Sequence, residues 1–302
     1  MIRIGPAGWS YPDWEGRVWP RVKPRGFHAL AFLARFVDCV EINSTFYALP
    51  RAEHARRWCQ LVAEHPDFAF LVKLHRDFTH ERRPEDGDAA RALDLHAEGF
   101  RKGIEPLVSA RRLSAVLVQF PVSFRFGADE VRRLGHLRAL FDSLRLVLEV
   151  RHVSWFAPPA LRAIRGLGYS LAWIDLPAAW NHPPDWHEPT GEVGYLRLHG
   201  RNAAQWFRRS ASRDDRYDWL YAPEDLHALL EKARRIDRAT GETYVVTNNH
   251  FAGQAVANAL ELAADLRGAP VDAPATLVRA FPRLAAVTRV VGQGELFPPA
   301  GE

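Results

Sequence analysis

The stretch Leu144–His152 alternates apolar and other residues with the period of two that is typical of a β-strand. Its two faces are Leu146, Leu148 and Val150 on one side, and Val147, Glu149 and Arg151 on the other. The first face is wholly apolar, whereas the second changes from apolar to charged toward its C-terminal end. A half-solvated strand alternates along its whole length. The pattern therefore predicts a buried strand that ends at a polar site.

Similar short apolar runs recur along the chain and are predicted to be strands. There are eight of them: Ile2–Trp9, Cys39–Phe46, Phe68–His75, Leu113–Phe120, Leu144–Arg151, Tyr169–Asp175, Val193–Gly200 and Thr243–Asn249. Helical periodicity separates most of these runs. The predicted helices are Phe27–Phe36, Ala52–Glu64, Asp88–Ala110, Asp129–Phe141, Pro158–Leu167, Pro223–Thr240 and Gly253–Leu266.

Strands that alternate with helices pair in parallel, and eight such units favour a closed (β/α)8 TIM barrel. The alternative is an open doubly wound sheet, but the first turn, Gly8–Pro12, lacks the GxGxxG nucleotide loop. The stretch Leu176–Glu192 contains four prolines and is predicted to be a loop that replaces the helix after the sixth strand. We predict a single barrel domain over residues 1–268 and a proline-rich tail over residues 269–302.

The same reading of every strand places polar side chains on the face opposite the apolar one, near the strands' C-terminal ends. This predicted set is Glu41, Asn43, Lys73, His75, Gln119, Glu149, Arg151, Asp175, Arg197, His199, Asn248 and His250, and Asn249 replaces its neighbours in the alternative register of the last strand. Barrel enzymes carry their sites at the C-terminal ends of the strands. The sequence therefore predicts a binding and catalytic pocket there.

The residue types in this set point to an anionic substrate. Lys73, Arg151 and Arg197 come from separate strands, and arginine binds carboxylate or phosphate oxygens in bidentate fashion. The proton carriers predicted as catalytic residues are Glu41, Glu149, Asp175 and His199. Close like charges and partial burial bring carboxylate pKa values toward neutrality.

Two other interpretations of the polar set stay open. The charges can form a network that pairs only with itself and closes the barrel end. A divalent metal is also compatible with the set, with ligands from Glu41, Glu149, Asp175, His199 and His250, although three cations in the ring compete for the carboxylates.

The segment Arg201–Tyr221 is too long for a plain strand–helix connection and holds five arginines and three aspartates among aromatic residues. Arginine side chains bind phosphates, and aromatic side chains stack on bases. We therefore predict that the segment contacts substrate through Arg201, Trp206 and Tyr217. The alternative is a lid whose aromatic side chains pack onto the barrel.

Composition narrows the classes of protein only a little. The chain of 302 residues is 47% hydrophobic and has a formal charge of +4, which permits polyanion binding without requiring it. Its two cysteines, Cys39 and Cys59, form no CxxC pair, and this favours a reducing, cytoplasmic compartment. No apolar run approaches about 18 residues, so no membrane-spanning segment is predicted.

Several ordered motifs together resemble the DUF72 (YecE-like) family. They are GWSYPDW (Gly8–Trp14), EINSTFYALP (Glu41–Pro50), FLVKLHRDFTH (Phe70–His80), VQFPVSF (Val118–Phe124), LEVRHVSWF (Leu148–Phe156), YLRLHGRNA (Tyr195–Ala203) and NNHFAGQAVANALEL (Asn248–Leu262). The resemblance extends from about Arg3 to Arg267. It implies the TIM-barrel fold of that family's known structures, and it assigns no catalytic roles.

The tail contains Gln293, Leu296 and Phe297 in a QxxLF spacing, which resembles the pentapeptide by which bacterial repair and replication proteins bind the sliding clamp. Such a segment is predicted to fill an apolar pocket on a partner. The alternative is that Leu296 and Phe297 cover an apolar strip on the barrel's own surface.

Three functions follow from these patterns. The favoured one is an enzyme that acts on a phosphate-bearing substrate, either a small molecule or single-stranded nucleic acid. A nucleic-acid phosphodiester hydrolase linked to DNA repair is one form of this hypothesis. The second is an enzyme on a small anionic metabolite such as a sugar phosphate or carboxylate, with the Arg201–Tyr221 segment as a lid. The third is a non-catalytic module that binds nucleic acid or the sliding clamp.

Overall fold

The computed structural model describes residues 1–81, 87–208 and 210–292, and strands alternate with helices along most of them. The strands are β1 (Ile2–Pro6), β2 (Cys39–Ile42), β3 (Ala69–Lys73), β4 (Leu113–Gln119), β5 (Leu146–Glu149), β6 (Ser170–Leu171), β7 (Trp173–Asp175), β8 (Val193–Leu198), β9 (Glu242–Thr247), β10 (Val271–Pro274) and β11 (Thr288–Val291). The first nine cover the eight predicted runs, because Ala172 interrupts the sixth.

The helices lie between these strands. They are α1 (Ala29–Leu33), α2 (Ala52–Leu61), α3 (Arg76–Thr79), α4 (Gly87–Ser109), α5 (Ala128–Leu140), α6 (Pro158–Gly166), α7 (Ala203–Trp206), α8 (Arg213–Tyr217), α9 (Pro223–Thr240), α10 (Gln254–Arg267) and α11 (Ala275–Ala280). The bounds of α9 illustrate the sequence signals: Pro223 occupies its first position, and Gly241 ends it with a φ of 80°.

All described strand pairs are parallel. One sheet has the order β1-β9-β8-β7, a second has the order β2-β3-β4-β5-β6, and β10 and β11 form a small separate pair. An isolated bridge between Ala7 and Glu41 connects the first two sheets at β1 and β2, and the N–H of Gly8 donates to the carbonyl of Glu41 at 2.8 Å. The prediction of an α/β fold with parallel strands is thus confirmed. The closed eight-stranded barrel is not confirmed, because the strands hydrogen-bond as two sheets.

The buried apolar residues form two clusters, and the smaller one shows which strand faces point to the interior. The smaller cluster draws on strands of both large sheets, so the sheets face one another across it. Its members are Ala7, Cys39, Ala69, Leu71, Ala115, Leu117, Val147, Ala172, Ile174, Val193, Tyr195, Tyr244 and Val246. The larger cluster packs the opposite strand faces against the helices. Because side chains alternate along a strand, the residues that follow the smaller cluster toward the strand ends share its interior.

The connections and the tail differ from the predictions in part. Residues 176–192 hold no helix, as predicted, whereas the 201–221 segment contains the short helices α7 and α8. The predicted tail from residue 269 is structured as far as β11, because its apolar residues Val271, Ala273, Leu277 and Leu284 are buried. In the described ranges, no helix combines the length and the apolar character that a membrane crossing needs. Cys39 and Cys59 form no disulfide.

Candidate functional site

A fully buried ion-pair network lies at the C-terminal ends of the strands, and Arg197 of β8 is its centre. Its Nε donates to Glu41 Oε2 at 2.9 Å and its Nη2 to Glu41 Oε1 at 2.6 Å, which is a bidentate pair between the two large sheets. Its Nη1 donates to Glu149 Oε2 at 3.1 Å. One guanidinium thus holds two carboxylates that have no contact with solvent.

Neighbouring side chains complete the hydrogen bonding of both carboxylates. The Tyr195 hydroxyl donates to Glu41 Oε2 at 2.6 Å. Arg151 donates to Glu149 Oε1 through Nε at 3.1 Å and through Nη2 at 2.9 Å. Glu41 and Glu149 thus receive all of these hydrogen bonds from other residues of the chain. This arrangement corresponds to the alternative in which the predicted charges pair with one another.

His199 joins the network as a neutral imidazole. Asn248 Oδ1 accepts from Arg197, so the amide nitrogen of Asn248 faces His199 Nδ1 at 3.1 Å and donates to it. The proton of the ring is then on Nε2, 3.3 Å from Glu149 Oε1. Burial lowers the pKa of His199 to about 3, despite the opposing charge of Glu149.

The charges fix the ionisation of the other members. Burial alone would raise the pKa of Glu149, but the positive charge of Arg197 holds it well below its usual value, with smaller contributions from the charge of Arg151 and the hydrogen bond of His199. Burial opposes the charge of Arg197, and Glu41 and Glu149 outweigh that effect and raise its pKa. Both groups are therefore ionised at neutral pH.

A cavity of about 480 Å³ lies beside this network. It is lined by Phe46, Lys73, His80, Gln119, Pro121, Val122, Arg151, Leu176, Pro177, Ala179, Asn181, His182, Trp206, Phe207 and Tyr217. The lining contains cationic, aromatic and amide side chains and no carboxylate among the residues that the structure describes. Its volume is within the range of small-molecule sites.

Lys73, at the end of β3, contributes an ammonium group that is not engaged in an ion pair within the described part of the chain. Its Nζ lies 4.1 Å from the centre of the Phe46 ring. Burial, together with the positive charge of Arg197, lowers its pKa from 10.5 to about 7, although Glu149 and Glu41 oppose the shift. Lys73 therefore exchanges a proton near neutral pH.

His80 and Gln119 are two further polar residues that line the cavity. Burial and the charges of Lys73 and Arg151 lower the pKa of His80 to about 4, so its ring is neutral at pH 7. Gln119 Nε2 donates to the carbonyl of Phe120 at 2.7 Å, which fixes the orientation of its amide.

Aromatic side chains of the 201–221 segment cover the network. Trp206 lies 5.9 Å from the His199 ring and 5.6 Å from Tyr217, and the Arg151 guanidinium is 5.8 Å from the Trp206 ring. Tyr217 also packs 5.2 Å from His250, which stacks on Tyr11. The aromatic side chains of the segment thus pack over the strand ends, and three of them, Trp206, Phe207 and Tyr217, line the cavity.

Asp175 and Arg201 lie apart from the network, contrary to the predicted orientation of Asp175. Alternation placed Asp175 in the interior, but Ile174 occupies that face of β7. Asp175 instead binds Arg201, with Nη2 to Oδ1 at 2.8 Å, and accepts from the Tyr221 hydroxyl at 2.5 Å. Arg201 also donates to Asp225 at 2.7 Å. The Asp175 carboxylate, predicted to be catalytic, and the Arg201 guanidinium, predicted to bind substrate, therefore bind each other and their neighbours.

Three other predicted residues lie at the margin of the site. Asn43 follows β2, and its Oδ1 is buried with no hydrogen-bond partner among the described atoms. Asn249 points away from the network and donates to the Trp219 carbonyl and to Asn258, both at 2.8 Å. His75 precedes α3 and lies near Asp77. Gln293, Leu296 and Phe297 of the predicted clamp motif lie outside the described residues.

The sequence reading missed cavity residues that lie beyond the strand ends. Phe46 belongs to a short 3-10 helix after β2, and His80 follows α3. Both occur in motifs singled out for their resemblance, but neither continues a strand alternation. The five predicted metal ligands do not gather as one group; in the described ranges, the three-residue group suited to a metal is His75, Asp77 and His96.

Comparisons with known proteins agree with the motif resemblance. The profile described as "Protein of unknown function DUF72" matches residues 3–280. UPF0759 protein YunF of Bacillus subtilis is 26% identical over 273 residues, which cover 87% of this chain and 93% of the relative. UPF0759 protein YecE of Escherichia coli is 33% identical over 158 residues, 52% of this chain and 51% of that protein.

Solved structures lead to the same assignment. A DUF72 family protein from Thermotoga maritima superposes with a TM-score of 0.73 at 31% identity, covering 88% of this chain and 99% of its own. One from Enterococcus faecalis gives a TM-score of 0.76 at 26% identity, with 88% and 96% covered. The chain belongs to the DUF72 family.

Proposed function

We propose that the protein is an enzyme that binds a phosphate-bearing substrate in the cavity lined by Lys73 and Arg151. The observation that carries this proposal is the sign of the lining: two cationic side chains and no described carboxylate face the space. Glu149 is covered and holds Arg151 by two hydrogen bonds, so it orients the guanidinium for a ligand without competing from inside the cavity.

The aromatic walls add a second recognition element. Phe46, Trp206 and Tyr217 surround the cations with flat apolar surface, which suits a ring attached to a phosphate. A cavity of about 480 Å³ accommodates a nucleotide or a sugar phosphate. The reaction we favour is hydrolysis of a phosphodiester, and a small anionic metabolite is the alternative substrate class.

The geometry requires a change in the catalytic roles that the sequence suggested. Glu149, Asp175 and His199 are occupied by internal partners, so they act as positioning residues in this proposal. Lys73 reaches the cavity and has a pKa of about 7, which suits proton transfer at neutral pH. Arg151 would stabilise the charge that develops on the phosphate.

Substitution of Arg151 by methionine tests the anion site. We expect the affinity for ribose 5-phosphate or for a nucleoside 5′-monophosphate to fall about 10- to 100-fold, because a charge-assisted hydrogen bond is lost. Isothermal titration calorimetry measures the effect. Arg162→Met, on the exposed face of α6, is the control and should bind as the wild type does. Equal affinity of Arg151→Met and wild type would contradict the anion site.

Single-stranded nucleic acid is a second candidate substrate because aromatic side chains are exposed around the cavity. Trp180 is 85% exposed, between two residues that line the cavity, and Phe207 is 57% exposed in the 201–221 segment. Such rings can stack on successive bases. A decathymidine should then bind with an affinity that falls steeply with salt and that weakens in Trp180→Ala. Tight binding of a mononucleotide with no gain for the decathymidine would exclude this candidate.

We also propose how the two sheets enclose the site, where the protein is located and what its tail binds. Two backbone contacts support an arrangement in which the two sheets are halves of one barrel-like enclosure. One is the Ala7–Glu41 bridge, and the other is the hydrogen bond from the N–H of Ala172, which lies between β6 and β7, to the carbonyl of Leu148 in β5. Two cysteines without a disulfide support a cytoplasmic location. Sliding-clamp binding through Gln293, Leu296 and Phe297 is a proposal that rests on sequence alone.

A further inference from the structure

A second group of potential ligands lies outside the cavity, where β3 gives way to α3. His75 and Asp77 flank the start of α3, and His96 reaches them from the middle of α4. None of the three lines the cavity. We propose that His75, Asp77 and His96 form a binding site for a divalent transition metal such as Zn²⁺.

The distances fit such a site with little rearrangement. The Asp77 carboxylate lies between the two rings, with Oδ1 at 3.5 Å from His75 Nδ1 and Oδ2 at 2.8 Å from His96 Nδ1. One ligand atom from each residue falls within 4.8 Å of the others. Nitrogen and oxygen ligands at about 2.0–2.2 Å from Zn²⁺ are themselves separated by about 3–4 Å. The two contacts of Asp77, at 3.5 Å and 2.8 Å, are already close to this spacing.

The hydrogen bonding around His75 gives independent support. Its Nδ1 accepts from the N–H of Asp77 at 3.4 Å, so this nitrogen carries a lone pair. Asp77 Oδ1 lies 3.5 Å from the same nitrogen, so a cation placed between these two atoms would receive an electron pair from each. The ring also hydrogen-bonds the backbone of Tyr47, a contact of the kind that orients metal-binding histidines.

Burial and ligand type indicate the class of metal. The side chains of His75 and Asp77 are about nine-tenths buried, whereas His96 is 35% exposed, so an ion can enter past His96 and keep a position for water. Two imidazoles and one carboxylate suit Zn²⁺, Co²⁺ or Ni²⁺ better than Mg²⁺ or Ca²⁺, which prefer oxygen ligands.

A purely structural role for His75 and His96 predicts a different result. In that case His75 only caps α3, and His96 only pairs with Asp77, so added metal would have no specific effect. His227 provides a matched control because it makes a similar contact, 2.9 Å to Asp265, with no third ligand of the group nearby in the described residues.

The test is a titration of the full chain, first stripped with a chelator, with Zn²⁺ by calorimetry and with Co²⁺ by visible absorption. We expect one equivalent to bind, with d–d bands for Co²⁺, and His96→Ala to weaken binding at least about tenfold. Asp77→Asn, which keeps the side-chain shape, should weaken it as well, and His227→Ala should not. Circular dichroism of each variant establishes that it is folded.

Absence of binding at about 100 μM metal would overturn the proposal, since sites of this ligand set bind far more tightly. Equal binding by wild type and His96→Ala, or an equal loss in His227→Ala, would also overturn it. Because the cavity residues are unchanged in these variants, the outcome does not depend on the proposed phosphate site.

Discussion

Substitution of Arg197 by methionine is expected to lower the free energy of unfolding by about 3–5 kcal/mol, the largest effect on stability that we predict. The change leaves Glu41 and Glu149 fully buried without the guanidinium that pairs with both. Methionine fills much of the same volume, so the loss reports the uncompensated charges and not a cavity. Urea denaturation at pH 7 measures the difference.

A second substitution separates charge from packing. Arg197→Met combined with Glu41→Gln should regain part of the loss, because one of the stranded charges is removed. Arg289→Met is the control for a surface pair, since Arg289 and Asp272 are 71% and 51% exposed, and it should cost less than about 1 kcal/mol. A loss below about 1 kcal/mol in Arg197→Met would mean that the buried network is not formed.

Lys73→Met should change both ligand affinity and the pH dependence of stability. In the wild type, the folded protein releases the Lys73 proton at a pKa of about 7, whereas the unfolded chain keeps it to about 10.5. Between these values the unfolded state binds more protons, so this group makes the wild type more stable as pH rises, by up to about 1.4 kcal/mol per pH unit. The variant lacks that contribution.

As pH rises, the stability of the wild type should therefore increase relative to Lys73→Met, whereas its affinity for anions should decrease. From pH 7 to pH 9, the unfolding free energy of the wild type should rise by about 2–3 kcal/mol relative to Lys73→Met. Over the same range, wild-type affinity for sulfate should fall, because the neutral amine no longer attracts an anion. Sulfate is a suitable probe because its own charge is constant there. Lys102→Met, whose lysine is 74% exposed, is the control.

A stability difference that does not change between pH 7 and pH 9 would contradict the lowered pKa of Lys73. Unchanged sulfate affinity in Lys73→Met would contradict its place in the anion site. The two measurements are independent, since a lysine can titrate near neutrality without contacting a ligand.

Strand alternation predicted the network because its members continue interior faces that are apolar along most of their length. Tyr195, Arg197 and His199 follow Val193 in this way, and Glu149 follows Val147. Parallel pairing then brings the C-terminal ends together. What alternation could not predict is which cation faces the cavity: Arg197 is paired with two carboxylates, whereas Lys73 lines the open space.

Asp175 shows where the assignment of strand faces fails, although the period of two itself holds. Its strand is broken at Ala172, and the helix that normally covers the outer face is replaced by residues 176–192. Trp173 on that face stacks on His187 of the loop at 4.2 Å. Both faces of the strand are therefore apolar in sequence, so the pattern alone does not say which one Asp175 shares.

Residues after the strands were the least predictable. Phe46, His80 and His96 reach their partners through short helical turns or from a separate helix, and no periodicity relates them to a strand. The tail shows the same limit on a larger scale, since β10 and β11 pair across an intervening helix.

The bond between Arg197 and Glu41 also constrains the order in which the chain acquires its structure. The two residues are 156 positions apart, so the guanidinium is synthesised long after the carboxylate that it neutralises. Until β8 docks, any compact intermediate built from β2 to β5 lacks the guanidinium of Arg197, so Glu41 must stay hydrated or protonated and Glu149 keeps only Arg151 as its charged partner. An N-terminal fragment that stops short of β8 should therefore stay open at this end, and the last step of folding should expel water from around both carboxylates.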